Sequence, residues 1–244
     1  VDDKKFNLST QKLEQKLKKE KIDVVVVIHM AGHPADLRKL RELKKKYKFK
    51  LIEDACHALG GKYKKSKIGS CDYSDICTFS FHPVKNITTG EGGMITTNDK
   101  KIYEKLKQLR SHGINKSSNQ FLNRQLAFDY NGKKNMWYYE MGHLGFNYRL
   151  TDFQSALGIS QLRKINNIIK KKRIIAKLYD KKLSNNNLIS IPAHQSDIIH
   201  AYHLYTIMVD FKKLGKTRNQ VMEELRKKSI GTQVLYIPIH YQPY

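Results

Sequence analysis

Apolar runs alternate with helical periodicities along the first hundred residues. Ser9 or Thr10 can cap a helix running to about Glu20, with Leu13 and Leu17 on its inner face. Asp23-Val24-Val25-Val26-Val27-Ile28 is a continuous β-branched run, the pattern of a strand covered on both faces. Pro34 suits the first turn of a helix reaching about Tyr47, and Lys50-Leu51-Ile52-Glu53 is the next strand, ending on Asp54. Strand, helix, strand in this order predicts an α/β fold with a mostly parallel sheet. Gly60 to Gly69 reads as a surface hairpin, and Asp75 to Phe81 as a further strand. Asp99 caps a helix to Arg110, Ser111 to Met141 reads as a long polar loop, and Leu150 to Lys182 is helical with a break near Asn166-Asn167. Short strands at Leu188–Ile191, His203–Val209 and Gln233–Ile237, with a helix over about Thr217–Lys228, follow a boundary near 185. The expected division is 1–185, a large domain, and 186–244, the start of a smaller α+β domain.

The stretch from Thr78 to Gly93 organises the rest. A buried strand ends on Ser80, a Pro83 turn leads to Lys85, and the glycine cluster Gly90, Gly92 and Gly93 opens a second apolar strand, Met94 to Thr97. Lys85 to Glu91 is too short for a crossover helix, so these two strands should run antiparallel. Lys85 then lies at the lip of a sheet, where partial desolvation disfavours the ammonium and favours a nucleophilic amine.

The formal net charge is +24. It suggests nucleic-acid binding, but Lys far outnumbers Arg, the lysines scatter over helix faces such as Lys44-Lys45-Lys46, and no nucleic-acid motif is present. Solvated helix faces under an AT-rich coding bias explain the charge better. Cys56, Cys71 and Cys77 lack zinc or disulfide spacing, so no metal is expected and a cytoplasmic setting fits. No run approaches membrane-spanning length. Both ends fall inside patterned segments, so the sequence is expected to be an internal piece, truncated at each end.

Glu53-Asp54-Ala55-Cys56-His57-Ala58-Leu59-Gly60, Ser80-Phe81-His82-Pro83-Val84-Lys85 and Gly90-Glu91-Gly92-Gly93 together resemble the DegT/DnrJ/StrS family of pyridoxal-phosphate sugar aminotransferases. Arg110-Ser111-His112-Gly113, Gly145-Phe146-Asn147-Tyr148-Arg149-Leu150, Gln154-Ser155-Ala156-Leu157-Gly158 and Gln233-Val234-Leu235-Tyr236-Ile237-Pro238 continue the likeness in order. The resemblance implies an aspartate-aminotransferase-like (fold type I) architecture, with a mostly parallel sheet carrying one antiparallel strand. It implies pyridoxal 5'-phosphate as cofactor and Lys85 as the catalytic lysine bonded to it, able to shuttle a proton at the substrate carbon. Asp54 matches the carboxylate that keeps the pyridine nitrogen protonated, and a strand's carboxyl end is where ligands sit in open α/β sheets. His57 matches a contact to the ring or its phenolic oxygen, with a packed histidine as the other reading. Ser80 matches a phosphate-binding hydroxyl, against an ordinary buried serine. Asn147 matches an amide reaching the cofactor phosphate from the neighbouring subunit of a homodimer with shared active sites. His82 reads as local packing.

Within the family, Ser80-Phe81-His82, Ile87-Thr88-Thr89, Arg110-Ser111-His112-Gly113 and Gln154 to Leu162 resemble the members of pseudaminic acid biosynthesis. That implies amino transfer from L-glutamate to a UDP-linked 4-keto-6-deoxy sugar, without nucleic acid or membrane as partner. A dTDP- or GDP-linked keto sugar, aminated at C3 or C4, is the alternative. Relatives that deoxygenate carry histidine in place of the lysine, so Lys85 argues against that chemistry. A lyase acting on an amino acid and a non-enzymatic basic binding protein are the more distant readings.

Overall fold

Ser9 begins the first helix, its side chain accepting a hydrogen bond from the Lys12 amide, and α1 (Thr10–Leu17) buries Leu13 and Leu17 as the periodicity predicts. The computed structural model describes residues 1–2, 5–234 and 236–244. They divide into two units, Val1–Lys177 with Ala193–Tyr205, and Leu178–Pro192 with Thr206–Tyr244. The expected boundary near 185 falls inside the first segment of the second unit.

In the first unit, β1 (Val24–Ile28), α2 (Leu37–Tyr47) and β2 (Lys50–Asp54) form the expected strand–helix–strand unit. Asp36, not Pro34, sets the start of α2, because its side chain accepts from the Lys39 amide. The hairpin strands β3 (Lys62–Tyr63) and β4 (Ser66–Lys67) are antiparallel. Next come β5 (Ile76–Ser80) and β6 (Gly93–Thr96). The main sheet has the order β1-β2-β5-β6, parallel except for the β5–β6 pair. The short loop after Ser80 therefore reverses the chain, as its length requires.

Register fixes what each face carries. Val27, Glu53, Cys77 and Thr96 form one row, and Ile28, Asp54, Thr78 and Ile95 form the next. Successive strand residues face opposite ways, so these two rows lie on opposite faces. The core face holds Val25, Val27, Leu51, Cys77 and Phe79, packed with Leu13 and Leu17 of α1 and Leu37, Leu40 and Leu43 of α2. The other face of β1 is open: Val24, Val26 and Ile28 are 49%, 57% and 49% exposed. The β-branched run predicts cover on both faces, and the described residues supply it on one.

The segment 111–141 is not a structureless loop. After α3 (Lys100–Leu109), capped by Asp99 as expected, β7 (Ile114–Asn115) pairs with β8 (Glu140–Met141) around α4 (Arg124–Ala127). Phe121, Ala127 and Tyr138 make a small core of their own. Glu140 holds it together, accepting from the Leu122 amide at 2.6 Å and the Tyr138 hydroxyl at 2.7 Å. Polar composition hid three apolar anchors spread over its length. The helical region divides into α5 (Asp152–Leu162), with a Thr151–Gln154 capping box, and α6 (Ile165–Leu183). The break thus comes just before Asn166-Asn167.

The second unit contains β9 (Ile189–Ser190), antiparallel to β11 (Met208–Val209), then α7 (Phe211–Leu214) and α8 (Arg218–Lys227). The strand expected over 203–209 shrinks to its last two residues. Of the strand expected over 233–237, Leu235 lies outside the described residues, and its described neighbours form none. Between the two segments of this unit, β10 (Ile198–Ile199) adds antiparallel to β3 of the first unit, a strand with no warning in the sequence.

That returning segment brings imidazoles into the core. The Ala201 amide bonds the Gly32 carbonyl at 2.9 Å, and the His200 ring meets His33 edge-on at 5.3 Å. Burial pushes His200 down to about 3, helped by His33, and burial also lowers His33. A histidine held neutral in the fold but free to protonate when unfolded makes the unfolded chain bind more protons. Stability is then full above the ordinary value of 6.5 and is lost as pH falls towards the depressed values. Urea midpoints at about pH 5 should lie below those at about pH 7.5, before most carboxylates protonate. His200→Gln, which keeps an acceptor for the Tyr202 amide, should narrow that difference.

Candidate active site

Parallel pairing aligns the carboxyl ends of β2 and β5, with Asp54 opposite Thr78. The Ala55 amide bonds the Thr78 carbonyl at 2.9 Å, so the two loops leave the sheet together. Asp54 lies on the open face at the end of its strand, and its Oδ1 accepts the Cys56 amide at 3.1 Å. This turn orients the carboxylate before any ligand arrives.

His57 follows within the same turn. It is 9% exposed, and its buried Nδ1 has no hydrogen-bond partner among the described residues. An orphaned buried ring nitrogen costs free energy unless something satisfies it. Burial lowers its affinity for a proton, the Lys85 ammonium lowers it further, and Asp54 opposes both. The neighbouring Cys56 thiol is pushed up to about 12 by burial and by the Asp54 carboxylate, with Lys85 pulling the other way. These mutual influences put Asp54, His57 and Lys85 in one neighbourhood.

Lys85 is half-buried in the turn between β5 and β6, its amide bonded to the His82 carbonyl at 2.9 Å. The loop is firmly held. Phe81 N–H donates to the Gly92 carbonyl, and the Phe81 carbonyl accepts both the Thr89 amide and the Thr88 hydroxyl. Gly92 has φ +153°, and a Cβ there would collide with the Thr89 hydroxyl and Leu150. Ser80, half-buried at the end of β5, accepts a long bond of 3.4 Å from the His82 amide. His82 itself is exposed and turns back on Val84 and Glu91, in keeping with a local role.

Asn147 is elsewhere in the chain's bonding. It forms an antiparallel bridge with Ser111, and the His112 amide bonds the Phe146 carbonyl at 2.8 Å. Two of the sequence motifs thereby pair with each other. Among the described residues the exposed Asn147 side chain makes no hydrogen bond to the Asp54, His57, Ser80 and Lys85 group.

Three neighbours of the group were missed in the sequence. The His203 ring packs on His57 with centroids 4.4 Å apart, and it is pushed down to about 3 by burial, then by His57, Lys85 and Lys172. Nothing in Ala201-Tyr202-His203 advertises this. Lys172 Nζ donates to Asn86 Oδ1 at 2.7 Å, beside Lys85. Lys172 follows Ile165 and Ile169 at helical spacing, so its place on an apolar face was a readable signal within the Lys170–Arg173 charge run.

The whole chain, residues 1–244, matches the model of the DegT/DnrJ/EryC1/StrS aminotransferase family. A UDP-4-amino-4,6-dideoxy-N-acetyl-beta-L-altrosamine transaminase of Campylobacter jejuni is 37% identical over 96% of this chain and 57% of its own length. The GDP-perosamine synthase of Escherichia coli O157:H7 is 32% identical over 99% of this chain and 59% of its own. Among solved structures, the Helicobacter pylori aminotransferase PseC, involved in the biosynthesis of pseudoaminic acid, superposes with a TM-score of 0.82 at 32% identity, covering 97% of this chain and 58% of that one. The chain thus spans less than two thirds of the length of each of these relatives. The architecture is that of the fold type I pyridoxal-phosphate enzymes, with the one antiparallel strand β6 where the loop length demanded it. From its first described residue to its last, this chain belongs to the DegT/DnrJ/EryC1/StrS family of pyridoxal-phosphate-dependent aminotransferases.

Proposed function

We propose that the protein carrying this chain is a nucleotide-sugar aminotransferase that moves an amino group from L-glutamate to a UDP-linked 4-keto-6-deoxy sugar. The observation that carries this reading is the convergence of the half-buried Lys85 amine, the oriented Asp54 carboxylate and the unsatisfied His57 Nδ1 at adjoining strand ends. That set fits pyridoxal 5'-phosphate. Asp54 would face the ring nitrogen, His57 Nδ1 a polar ring substituent, and Ser80 one phosphate oxygen. When bound, the cofactor supplies the electron sink for breaking a bond at the amine-bearing carbon.

The rest of the work belongs to this chain's side chains. A carboxylate fixed at Asp54 favours the protonated form of a ring nitrogen in front of it, through opposite charge and a hydrogen bond. Lys85 Nζ takes a proton from the substrate carbon and returns it nearby, the role of a positioned general base and acid. His57 and His203, both lowered by burial, remain neutral at neutral pH and add no competing cation beside Lys85. A lysine at this position, where deoxygenating relatives carry histidine, favours amino transfer. The UDP-sugar assignment draws on the C. jejuni relative, and a GDP-linked sugar is the second reading, supported by the E. coli relative. The exposed Asn147 amide, which makes no hydrogen bond to this group among the described residues, is consistent with service to a second subunit of a homodimer.

Three outcomes test this reading on the full-length protein. Borohydride reduction of the cofactor-loaded form, followed by peptide mapping, should locate the phosphopyridoxyl group on Lys85, and Lys85→Ala should cut turnover by about 10²–10⁴-fold or more; a label on another lysine removes the assignment. With glutamate as donor, a panel of UDP-, dTDP- and GDP-linked keto sugars should give turnover with a UDP-linked 4-keto-6-deoxy sugar, and preference for a GDP sugar would select the second reading. Lys85→Ala and Asn147→Ala subunits, each impaired alone, should regain activity when exchanged into heterodimers, because one site would then keep both residues. No recovery in verified heterodimers would return Asn147 to its own subunit or remove it from the site.

A further inference from the structure

We propose that Asn86 and Lys172 are a positioning pair: helix α6 uses them to fix the loop bearing Lys85 against the loop bearing Asp54. The inference rests on the function proposed above and goes beyond it to residues outside the expected cofactor set. Asn86 is the residue next to Lys85 and is only 7% exposed. Its amide is engaged on both sides. Nδ2 donates to the Leu59 carbonyl at 3.0 Å, and Oδ1 accepts from Lys172 Nζ at 2.7 Å. Leu59 closes the turn that begins at Asp54. One side chain therefore ties the backbone from which Lys85 springs to the loop that orients the opposing carboxylate.

The same helix grips that second loop directly. Ile165 and Ile169 lie two turns and one turn before Lys172 on α6, and they close over Gly60. A Cβ on Gly60, whose φ is +86°, would stand 2.7 Å from Ile169 and 2.9 Å from Ile165. Positions 165, 169 and 172 share one helical face. That face holds the Asp54 loop by apolar contact and the Lys85 loop by a charge-assisted hydrogen bond.

Lys172 is half-buried, and burial lowers its affinity for a proton. Withdrawing an ammonium from water is costly, so the short bond to a fixed amide oxygen is what keeps this side chain in one place. Other ties of the Lys85 loop run elsewhere: Thr88 and Thr89 to the Phe81 carbonyl, and Glu91 to Gln154 of α5. They set the turn's shape, while Asn86 carries the side-chain hydrogen bond to the Asp54 loop. Proton transfer and attack are sensitive to displacements of an ångström or less, so this distance bears on rate.

The test uses the full-length protein with four changes. Lys172→Met keeps the apolar stem and removes the donor, while Lys172→Arg restores a donor. Asn86→Asp keeps an acceptor for Lys172 but loses the bond to the Leu59 carbonyl, and Asn86→Leu loses both. Hydrogen exchange of the amides in 85–89 is read first on the cofactor-free protein, with circular dichroism and melting as checks on the fold. Lys172→Met should speed that exchange about tenfold or more, the loss of one charge-assisted bond. In the loaded enzyme it should lower kcat about tenfold with little change in KM for the amino donor, because geometry and not binding is disturbed. Lys172→Arg should recover most of both, and Asn86→Asp should resemble Lys172→Met. Unchanged exchange in a folded Lys172→Met protein overturns the proposal, as does an arginine variant no better than methionine. If Asn86→Leu fails to fold, the Lys172 pair alone decides. Faster exchange in a protein inactive on every keto sugar would uphold the brace and overturn the functional reading instead.

Discussion

Two consecutive carboxylates on β2 face opposite ways, and the site depends on which is which. Glu53 points into the core, 2% exposed, and pairs with His29 at 2.8 Å. The other nitrogen of His29 accepts the Ala35 amide at 3.0 Å, so the proton lies on Nε2, facing Glu53. A buried carboxylate without this partner would be strongly destabilising. The pair therefore locks the strand's alternation, because a one-residue slip would bury Asp54 and expel Glu53. Only with Glu53 down does Asp54 stand on the open face, in the row shared with Ile28, Thr78 and Ile95.

From that lock the site is assembled by segments far apart in the chain. Residues 54–60 and 80–93 come from neighbouring parallel strands, and α5 closes over the second of them. Gln154 donates to the Glu91 carbonyl at 2.9 Å, and Gly158 leaves room for the Thr89 methyl, which a Cβ would meet at 2.9 Å. The two glycines of interest, Gly60 and Gly158, thus mark where helices press on loops. Their absence of side chain is a packing requirement and needs no ligand to explain it.

Much of this was legible because its causes are local. Strand and helix succession, the Ser9 and Asp99 caps, the hairpin and the antiparallel return after Ser80 follow from periodicity, capping and loop length. The positions of Asp54 and Lys85 follow from a strand end and a short Pro-Gly turn, while their candidate roles rest on the family resemblance. What escaped notice depends on partners distant in sequence. The strand at Ile198–Ile199 exists only because β3 offers an edge, and His203 matters only because it packs on His57. The small core of 111–141 rests on three apolar residues among many polar ones. The side of β1 that these residues leave exposed has no signal of its own, because β-branched residues suit one-sided and two-sided strands alike.

That uncovered side has a colloidal consequence. Val24, Val26 and Ile28 form an apolar stripe on the edge strand of the sheet, on a chain of net charge +24. Copies in dilute salt repel one another over distances longer than the reach of hydrophobic contact. Added salt shortens that range to a few ångströms without weakening the attraction between apolar faces, and sulfate strengthens it. For the residues of this chain taken by themselves, ionic strength therefore sets whether charge or the apolar stripe dominates contact between copies.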